Sequence, residues 1–395
     1  MRQILIWTGA LLLGALLGLL QIPAVDAVAD FVATVYTRLF RLLAVPTIVL
    51  AVITTMTRMG TGQGTGRLFR RTISYTLLTT LCAAIVGAVL FWVIAPENLP
   101  ADIASSQSLP PQQESSYYDH IVSVIPDNIL KPFLEGNVLA LLLLAFAIGT
   151  GLSKLPETDG KRVVVSGLNG LQDLLFLLVK WLIWTLPVGI VAFAALLTSQ
   201  TGTGAMAGSI GKYVLVVLAG NVIQFFVVLP LFLLSRGLNP LKVLSKMSPA
   251  VLMALFTKSS AATLPVTMES AEQRLGVKKE VARFVLPICT TINMNGCAAF
   301  ILVTSLFVMQ NGGVDLTLPT ILLWILISVV AAVGNAGVPM GCFFLTFSLM
   351  AGIGAPVAVL GLILPVYSII DMVETAENVW SDSCVCAMTD HDLGR

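Results

Sequence analysis

Four carboxylates lie within twelve residues near the end of the chain, in the sequence DMVETAENVWSD (371–382). They are Asp371, Glu374, Glu377 and Asp382, and they interrupt an otherwise apolar segment. A charge at the centre of a membrane costs about 2.5–3.5 kcal/mol, whereas Leu, Ile or Val returns only about 0.3–0.6 kcal/mol each. The polar side of this segment must therefore face protein, water or a bound cation rather than lipid.

Most of these polar side chains share one side of a helix. At 100° per residue, the residues within an arc of about 100° are Asp371, Glu374, Thr375, Asn378 and Asp382. Glu377 lies about 60° beyond Glu374, at the flank of this polar face. Carboxylates suit Na⁺, and a carboxylate also suits an α-ammonium group. We expect a site for a cation and a zwitterion; the alternative is polar packing between helices, with carboxylates protonated or bonded to backbone.

The composition places this helix in a membrane protein. The chain has 395 residues, 57% hydrophobic and 11% charged, with a mean hydropathy of +0.93. A soluble domain is about 25% charged. Apolar segments of about 20 residues, long enough to cross a bilayer, are predicted near 4–20, 38–57, 72–95, 136–153, 169–197 and 212–235. We interpret the first as a membrane helix rather than a signal peptide, because its A-x-A-like cleavage pattern is weak.

Basic residues predict the orientation of these segments. Lys and Arg follow the second, fourth and sixth segments, whereas the loop after the third is acidic and rich in Pro and Ser. By the positive-inside rule, we expect both termini in the cytoplasm and a multi-pass protein of the inner or plasma membrane. The net charge of +1 indicates no nucleic-acid partner.

The remaining reactive residues give little support for an enzyme. The two histidines, His120 and His391, lie outside the apolar segments, and the Ser259–Ser260 pair has no His to act as its base. All six cysteines lie within apolar segments, so we expect no disulfide framework. Cys384 and Cys386 point to different sides of a helix, and we expect no metal site there.

Two later regions depart from the pattern of simple membrane helices. Residues 241–273 and 318–353 each contain two short apolar stretches, around TKSSAATLPVT (257–267) and GNAGVPMG (334–341). Gly, Ser and Pro at both centres interrupt a helix. Broken backbone is tolerated in lipid only where protein or an aqueous cavity supplies partners. We predict two re-entrant hairpins with tips near mid-membrane; the alternative is a simple kink.

Each predicted hairpin is followed by a helix with a polar centre. The first such helix contains TTINMNG (290–296), and the second contains the carboxylates. Repeated broken units that meet near the midplane are typical of transporter binding sites. Free backbone N–H groups at the tips would suit an anion such as an α-carboxylate. The pattern favours an amino-acid transporter, with a channel or a transport-inactive sensor as alternatives.

Four motifs in order resemble the glutamate transporter family of dicarboxylate/amino acid:cation symporters. TKSSAATLPVT is similar to the Ser-rich tip of that family's first hairpin, TINMNG (291–296) to its NMDGT signature, and VGNAGVPMG (333–341) to its second hairpin tip. Asp371, Thr375, Asn378 and Asp382 match the D-x-x-x-T-x-x-N-x-x-x-D motif of its last helix.

This resemblance implies an all-α polytopic membrane protein of eight transmembrane helices and two re-entrant helical hairpins, with inverted repeats, an elevator mechanism and a homotrimeric assembly in the lipid bilayer. The implied divisions are a scaffold (1–66, helices 1–2, and 129–200, helices 4–5), a transport domain (67–96, helix 3, and 201–240, helix 6), an outer loop (97–128), hairpin 1 (241–275), helix 7 (276–310), hairpin 2 (316–354), and helix 8 with a cytosolic tail (355–395).

The resemblance also implies the site residues. The expected substrate-binding residues are Ser259, Ser260, Cys297, Val338, Pro339, Met340, Asp371, Glu374, Thr375 and Asn378. The expected Na⁺ ligands are Thr79, Thr80, Thr291, Asn293, Met294, Asn295, Asn378 and Asp382. Asp371 would bind the substrate ammonium and Asn378 its α-carboxylate.

Departures from the family pattern shape the expected substrate and ions. Glu374 stands where carriers of acidic amino acids have an arginine, Cys297 where the signature has Thr, and Met340 where a hairpin has Gly. A charged Glu374 would repel an acidic side chain, so we expect a neutral or cationic amino acid; the alternative is an acidic amino acid or C4-dicarboxylate in an altered pocket. Asn295 replaces an Asp, which predicts fewer Na⁺ ions or partial H⁺ coupling through Glu374 or Glu377.

Overall fold

The computed structural model describes residues 2–60, 66–99, 125–135, 138–201, 203–333, 335 and 340–394. Within these ranges every regular element is a helix. The α-helices are α1 (Arg2–Leu19), α2 (Pro23–Gly60), α3 (Gly66–Ile94), α4 (Lys131–Glu135), α5 (Val138–Lys154), α6 (Asp159–Thr201), α7 (Thr203–Ile223), α8 (Leu229–Ser235), α9 (Pro240–Thr257), α10 (Ser260–Glu269), α11 (Lys279–Ile292), α12 (Asn295–Asn311), α13 (Leu318–Val333), α14 (Gly341–Gly352) and α15 (Ala358–Leu393). Two π-helical segments, Gln224–Val228 and Ser270–Leu275, continue α7 and α10.

Two helices are much longer than the apolar segments that predicted them. α2 has 38 residues and begins at Pro23 rather than near 38, and α6 has 43 residues and begins at Asp159 rather than near 169. Both extensions lie at helix N-termini, where a first-position Pro or a first-turn Asp is favourable. The predicted membrane segments cover only part of these helices, because hydropathy detects the apolar part of a helix and misses its polar continuation.

Several helices are long and apolar enough to cross a membrane. In the described part of the chain there are four such helical spans: Gly66–Ile94, Asp159–Leu182, Gly208–Ser235 and Lys279–Asn311. The parts of α15 before and after Pro365 are bent by 71° and together would make a fifth. These spans and the composition define an integral membrane protein.

Helices α1, α2, α5 and α6 pack together, and glycines allow their closest contacts. A Cβ added to Gly14 would lie 2.4 Å from the Val191 carbonyl oxygen, and one on Gly18 would lie 2.3 Å from that of Ala195. The backbones of α1 and α6 therefore touch along a Gly-x-x-x-Gly face, as is common between membrane helices.

The two regions predicted as hairpins each contain two helices on either side of an interruption. Between α9 and α10, Lys258 adopts a left-handed conformation (φ 54°), and the Ser259 hydroxyl accepts a hydrogen bond from the Ala262 N–H at 3.2 Å. Before α14, Met340 is also left-handed (φ 64°), a conformation that glycine adopts more easily. α9 packs against α10, whereas α13 and α14 both pack against α12.

The most enclosed element is α12, which follows an interruption of its own at Asn293 and Met294. Every residue from Asn295 to Met309 is buried. α3, α7, α13, α14 and α15 surround this helix. The start of α12 therefore meets the polar face of α15 deep inside the protein.

Candidate functional site

The polar face of α15 is completely enclosed. Its six polar residues are each at most 5% exposed: Asp371, Glu374, Thr375, Glu377, Asn378 and Asp382. The packing of α15 therefore supports the prediction that its polar face is directed toward protein rather than toward lipid. This polar face has two parts, which contact different helices.

The first part, called the amide network below, joins α15 to the interruption between α11 and α12 and to α3. Its members are Thr79, Thr80, Asn293, Asn295, Ser381 and Asp382. The Asn293 Nδ2 donates to Asp382 Oδ1 and to Ser381 Oγ, both at 2.9 Å. The Asn295 Nδ2 donates to the same Ser381 Oγ at 2.8 Å. Because Asn293 follows the last residue of α11 and Asn295 begins α12, these bonds fix the shape of the broken helix.

The amide oxygens of the same two asparagines face α3. Thr79 Oγ1 donates to Asn293 Oδ1 at 3.2 Å, and Thr80 Oγ1 donates to Asn295 Oδ1 at 2.8 Å. Neutral oxygens from two helices and the Asp382 carboxylate thus lie close together in a buried position. Hydroxyl, amide and carboxylate oxygens are the ligands that hard cations prefer.

Asn378 anchors the start of α12 beside this network. Its Oδ1 accepts a hydrogen bond from the Gly296 N–H at 2.9 Å, and its Nδ2 donates to Cys297 Sγ at 3.5 Å. A Cβ on Gly296 would lie 2.8 Å from Asn221 Oδ1 and 3.0 Å from the Glu374 Cα. Glycine is therefore needed for α12 to approach α15 this closely.

The second part, called the carboxylate group below, consists of Asp371, Glu374 and Glu377. Glu374 Oε2 accepts a hydrogen bond from the Tyr367 hydroxyl at 3.3 Å. Its Oε1 and both carboxylate oxygens of Glu377 have no hydrogen-bond partner among the described residues. Buried polar atoms are normally bonded, so these three oxygens are candidates for binding a ligand, ion or water.

Asp371 connects this group to both interrupted regions. Its Oδ2 accepts a hydrogen bond from the Met340 N–H at 3.3 Å. The ammonium of Lys258 is close enough to attract the Asp371 carboxylate, and it also donates to the Ser368 hydroxyl on α15. The tip between α9 and α10 and the residue before α14 therefore meet at the same carboxylate.

Glu377, whose orientation the sequence does not settle, is buried at the flank of the polar face. It lines a cavity of about 220 Å³ between α7, α9 and α15 together with Asn221, Phe225 and Leu255. The lining is apolar apart from Asn221 and Glu377. Glu377 therefore borders this cavity while also lying near the Gly296 N–H and the Asn295 side chain at the start of α12.

Of the other predicted site residues, some make hydrogen bonds within their own helices and others are buried. The Thr375 hydroxyl donates to the Asp371 carbonyl at 2.7 Å, and that of Thr291 donates to the Ile288 carbonyl at 2.8 Å. Ser259 caps α10, and Ser260 and Met294 are buried. Val338 and Pro339 lie outside the described residues.

Two of the buried cysteines form a disulfide, contrary to the prediction from the sequence. The sulfurs of Cys297 and Cys342 are 2.11 Å apart with a Cα–Cα distance of 5.5 Å, which makes them a disulfide. The expectation of no disulfide was wrong for this pair, because the packing of α14 on α12 joins residues 45 apart in sequence. Asn335 Nδ2 donates to both sulfurs at 3.1 Å.

Three residues that complete the site were not predicted from the sequence. Ser381 accepts both asparagine bonds in the amide network, Lys258 lies beside Asp371, and Tyr367 donates to Glu374. Two of these residues stand out in the sequence by their position. Lys258 is the only charge in the small-residue tip 257–267, and Ser381 directly precedes Asp382.

Buried ionisable side chains at the meeting point of interrupted helices define a membrane protein of the solute-transporter class. The chain belongs to the sodium:dicarboxylate symporter family, whose sequence profile matches residues 2–392. This membership confirms the predicted resemblance, and the family is one of transporters rather than enzymes.

Three curated relatives show which transporters the chain is similar to. The chain is 35% identical over 263 residues to neutral amino acid transporter B(0) of Oryctolagus cuniculus, covering 66% of this chain and 48% of the relative. It is 34% identical over 262 residues to neutral amino acid transporter A of Homo sapiens, covering 65% and 49%. A putative sodium-dependent excitatory amino acid transporter, glt-4, of Caenorhabditis elegans is 33% identical over 294 residues, covering 74% and 56%. The chain spans about half the length of the curated relatives it matches.

Proposed function

We propose that this protein is a secondary active transporter that couples Na⁺ to the uptake of an amino acid with a neutral or cationic side chain across the cytoplasmic membrane. The observation that carries the proposal is Glu374, a buried carboxylate one helical turn from Asp371. Two relatives whose names specify neutral amino acids support the same substrate class.

In this proposal, Asp371 binds the substrate ammonium and Asn378 its α-carboxylate. Ser259, Ser260, Thr375 and the 338–340 segment complete the pocket. The unbonded Oε1 of Glu374 is available to the substrate side chain, either to pair with a cation or to accept a hydrogen bond. An acidic side chain would stand beside a second carboxylate and be repelled.

Sodium ions are co-transported substrates rather than resident cofactors. One ion would use Asp382 and Asn293, and a second would use backbone near Thr291 and Met294. A third would use Thr79, Thr80, Asn293 and Asn295. Because Asn295 is neutral, we infer a weaker third site, with fewer Na⁺ per cycle or partial H⁺ coupling through Glu374 or Glu377.

The test is uptake of a radiolabelled amino-acid panel into proteoliposomes. We expect inward Na⁺ gradients to drive uptake of neutral or cationic amino acids, and little uptake when choline replaces Na⁺. Internal amino acid should accelerate entry of labelled external amino acid, because a carrier exchanges and a channel does not. Strong aspartate or glutamate uptake by the unmutated protein would contradict the substrate class, and absence of exchange would contradict the carrier.

We also propose the arrangement that the family likeness implies. It comprises eight transmembrane helices, two re-entrant hairpins at 241–275 and 316–354, cytoplasmic termini, and a homotrimer in which an elevator-like transport domain moves against a scaffold. The mutual packing of α1, α2, α5 and α6 supports the scaffold (1–66 and 129–200). Native mass spectrometry tests the trimer, and single-cysteine labelling from each side of the membrane tests the orientation and the hairpins.

A further inference from the structure

A disulfide borders the carboxylate group and joins two helices that begin beside it. Cys297 is the third residue of α12, and Cys342 is the second residue of α14. Both sulfurs lie within 4.8 Å of a carboxylate oxygen of Glu374, and the two cysteines are buried, at 2% and 3% exposure. The bond therefore fixes the start of α14 to α12 at the edge of the proposed substrate pocket.

The start of α14 also covers Asp371. The Met340 N–H, two residues before Cys342, donates to the Asp371 carboxylate at 3.3 Å. Asp371 is only 4% exposed, so a substrate ammonium can reach it only when a covering element moves away. The tip between α9 and α10, which approaches Asp371 at Lys258, contains no cysteine and has no covalent restraint of this kind. The disulfide thus restrains one of the two coverings of Asp371 and leaves the other free to move.

One polar contact favours reversible cleavage of this bond. Asn335 Nδ2 donates to both sulfurs at 3.1 Å. A disulfide is cleaved when a thiolate attacks one sulfur and the other sulfur leaves as a thiolate, so a donor beside the leaving sulfur assists the step. A second thiol completes the exchange. Two small thiols thereby become one disulfide, and Cys297 and Cys342 gain two electrons and two protons.

We propose that the Cys297–Cys342 disulfide is a redox switch that controls access to the carboxylate group. The oxidised state holds the start of α14 over Asp371 and closes the approach on that side. Reduction by a small thiol separates α14 from α12 and allows that approach to open. Transport requires a site to open toward the two sides of the membrane in turn, so the oxidised state should inhibit it, and this consequence rests on the proposed function.

The first test does not depend on transport and uses the full-length protein in detergent. Maleimide labelling in denaturant, read by intact mass, should count four thiols before reduction of the folded protein and six after it, because four of the six cysteines are free. The reductant is a phosphine, which takes the oxygen of one water molecule, becomes a phosphine oxide and leaves the two thiols. Hydrogen exchange of the α14 backbone amides should then be about tenfold faster or more, with exchange in α9 unchanged as the internal control.

Uptake into proteoliposomes tests the consequence for transport. Reduction should raise Na⁺-driven amino-acid uptake by about tenfold or more, because opening of the site limits the oxidised protein. Diamide, which takes two electrons and two protons from the dithiol and becomes a hydrazine, should return uptake to the oxidised level. Cys342→Ser should be active and insensitive to both reagents, whereas the matched control Cys82→Ser on α3 should respond as the unmutated protein does.

The comparison of oxidised and reduced protein needs no mutation, so it holds even if Cys342→Ser fails to fold. Equal hydrogen exchange of α14 in the two states, or a bond that the phosphine cannot reduce in the folded protein, would overturn the switch. A redox response that persists in Cys342→Ser would do the same. Faster exchange of α14 without uptake in either state would retain the switch and reject the transport function, and equal uptake in both states would do the reverse.

Discussion

The two parts of the α15 polar face differ in how their carboxylates are bonded. Toward the C-terminus, Asp382 accepts a hydrogen bond from Asn293, and Asn378 bonds the Gly296 N–H. Toward the middle, Glu374 has one oxygen without a partner, and Glu377 has two. The amide network is completed by the protein itself, whereas the carboxylate group leaves acceptors open.

This difference separates a preorganised part from an adaptable one. A buried acceptor without a partner costs about 1–3 kcal/mol, and more for a charged group. The amide network avoids that cost before any ion binds. The carboxylate group incurs it unless a substrate, proton or cation is present, and Glu374 there is also the clearest departure from the family pattern.

Removal of the charge from the amide network should have the largest effect. Asp382→Asn keeps the shape of the side chain but removes the anionic ligand proposed for Na⁺ and weakens the bond to Asn293. Charge-assisted bonds contribute about 1.5–3 kcal/mol, so we expect Na⁺-driven uptake to fall on the order of 100-fold. Asp173→Asn, at an exposed position on α6, is the control. Unchanged uptake with unchanged Na⁺ dependence would remove Asp382 from the ion pathway.

The next largest effect should come from the carboxylate group and change selectivity rather than ion dependence. Two charges about 5 Å apart interact by roughly 3 kcal/mol at an effective dielectric of 20, so Glu374→Gln should raise acidic amino-acid uptake, relative to neutral uptake, by about tenfold or more. Glu374→Asp keeps the charge and is the matched control. Competition of aspartate against labelled neutral substrate measures the change. Equal exclusion of aspartate by both variants would mean that Glu374 is not the discriminating charge.

A smaller effect is expected when a charge is added to the amide network. Asn295→Asp places a carboxylate beside Thr80 and should strengthen the proposed third Na⁺ site by about 1–2 kcal/mol, a roughly five- to thirtyfold gain in apparent Na⁺ affinity. Reversal potentials in proteoliposomes measure the number of ions per substrate. Asn239→Asp, at an exposed helix cap, controls for the added charge. A stoichiometry and Na⁺ affinity identical to those of the unmutated protein would argue against an ion near residue 295.

The smallest effect on uptake should follow Glu377→Gln. Because its carboxylate makes no hydrogen bond of normal geometry, although the Gly296 N–H and the Asn295 side chain lie near it, the neutral amide should raise the melting temperature slightly or leave it unchanged. Uptake at neutral pH should change by less than about threefold, because Glu377 has no place among the proposed substrate or Na⁺ ligands. Glu269→Gln, exposed at the end of α10, serves for comparison. A marked loss of stability would indicate that Glu377 is bonded, and the two parts of the face would then be alike.

The sequence predicted the features that follow from local chemistry. Helical periodicity placed Asp371, Asn378 and Asp382 on one face, and Pro, Gly and Ser located the interruptions near 258 and 340. It could not predict the Cys297–Cys342 disulfide, because that depends on the packing of α14 against α12. Ser381 was also missed, because its position before Asp382 does not reveal that the asparagines on both sides of the α11–α12 interruption donate to it.

The glycine face between α1 and α6 has a consequence for how the chain is made. Gly14 and its contact Val191 are separated by roughly 10–30 s of synthesis, at about 5–20 residues per second. In the proposed arrangement of eight transmembrane helices, α1 is in the bilayer during that interval, with its Gly-x-x-x-Gly groove open to lipid or to any other helix that fits. Faithful biogenesis therefore depends on how quickly translation delivers α6, and slow codons between the two helices would lengthen the period in which the nascent chain can pair wrongly.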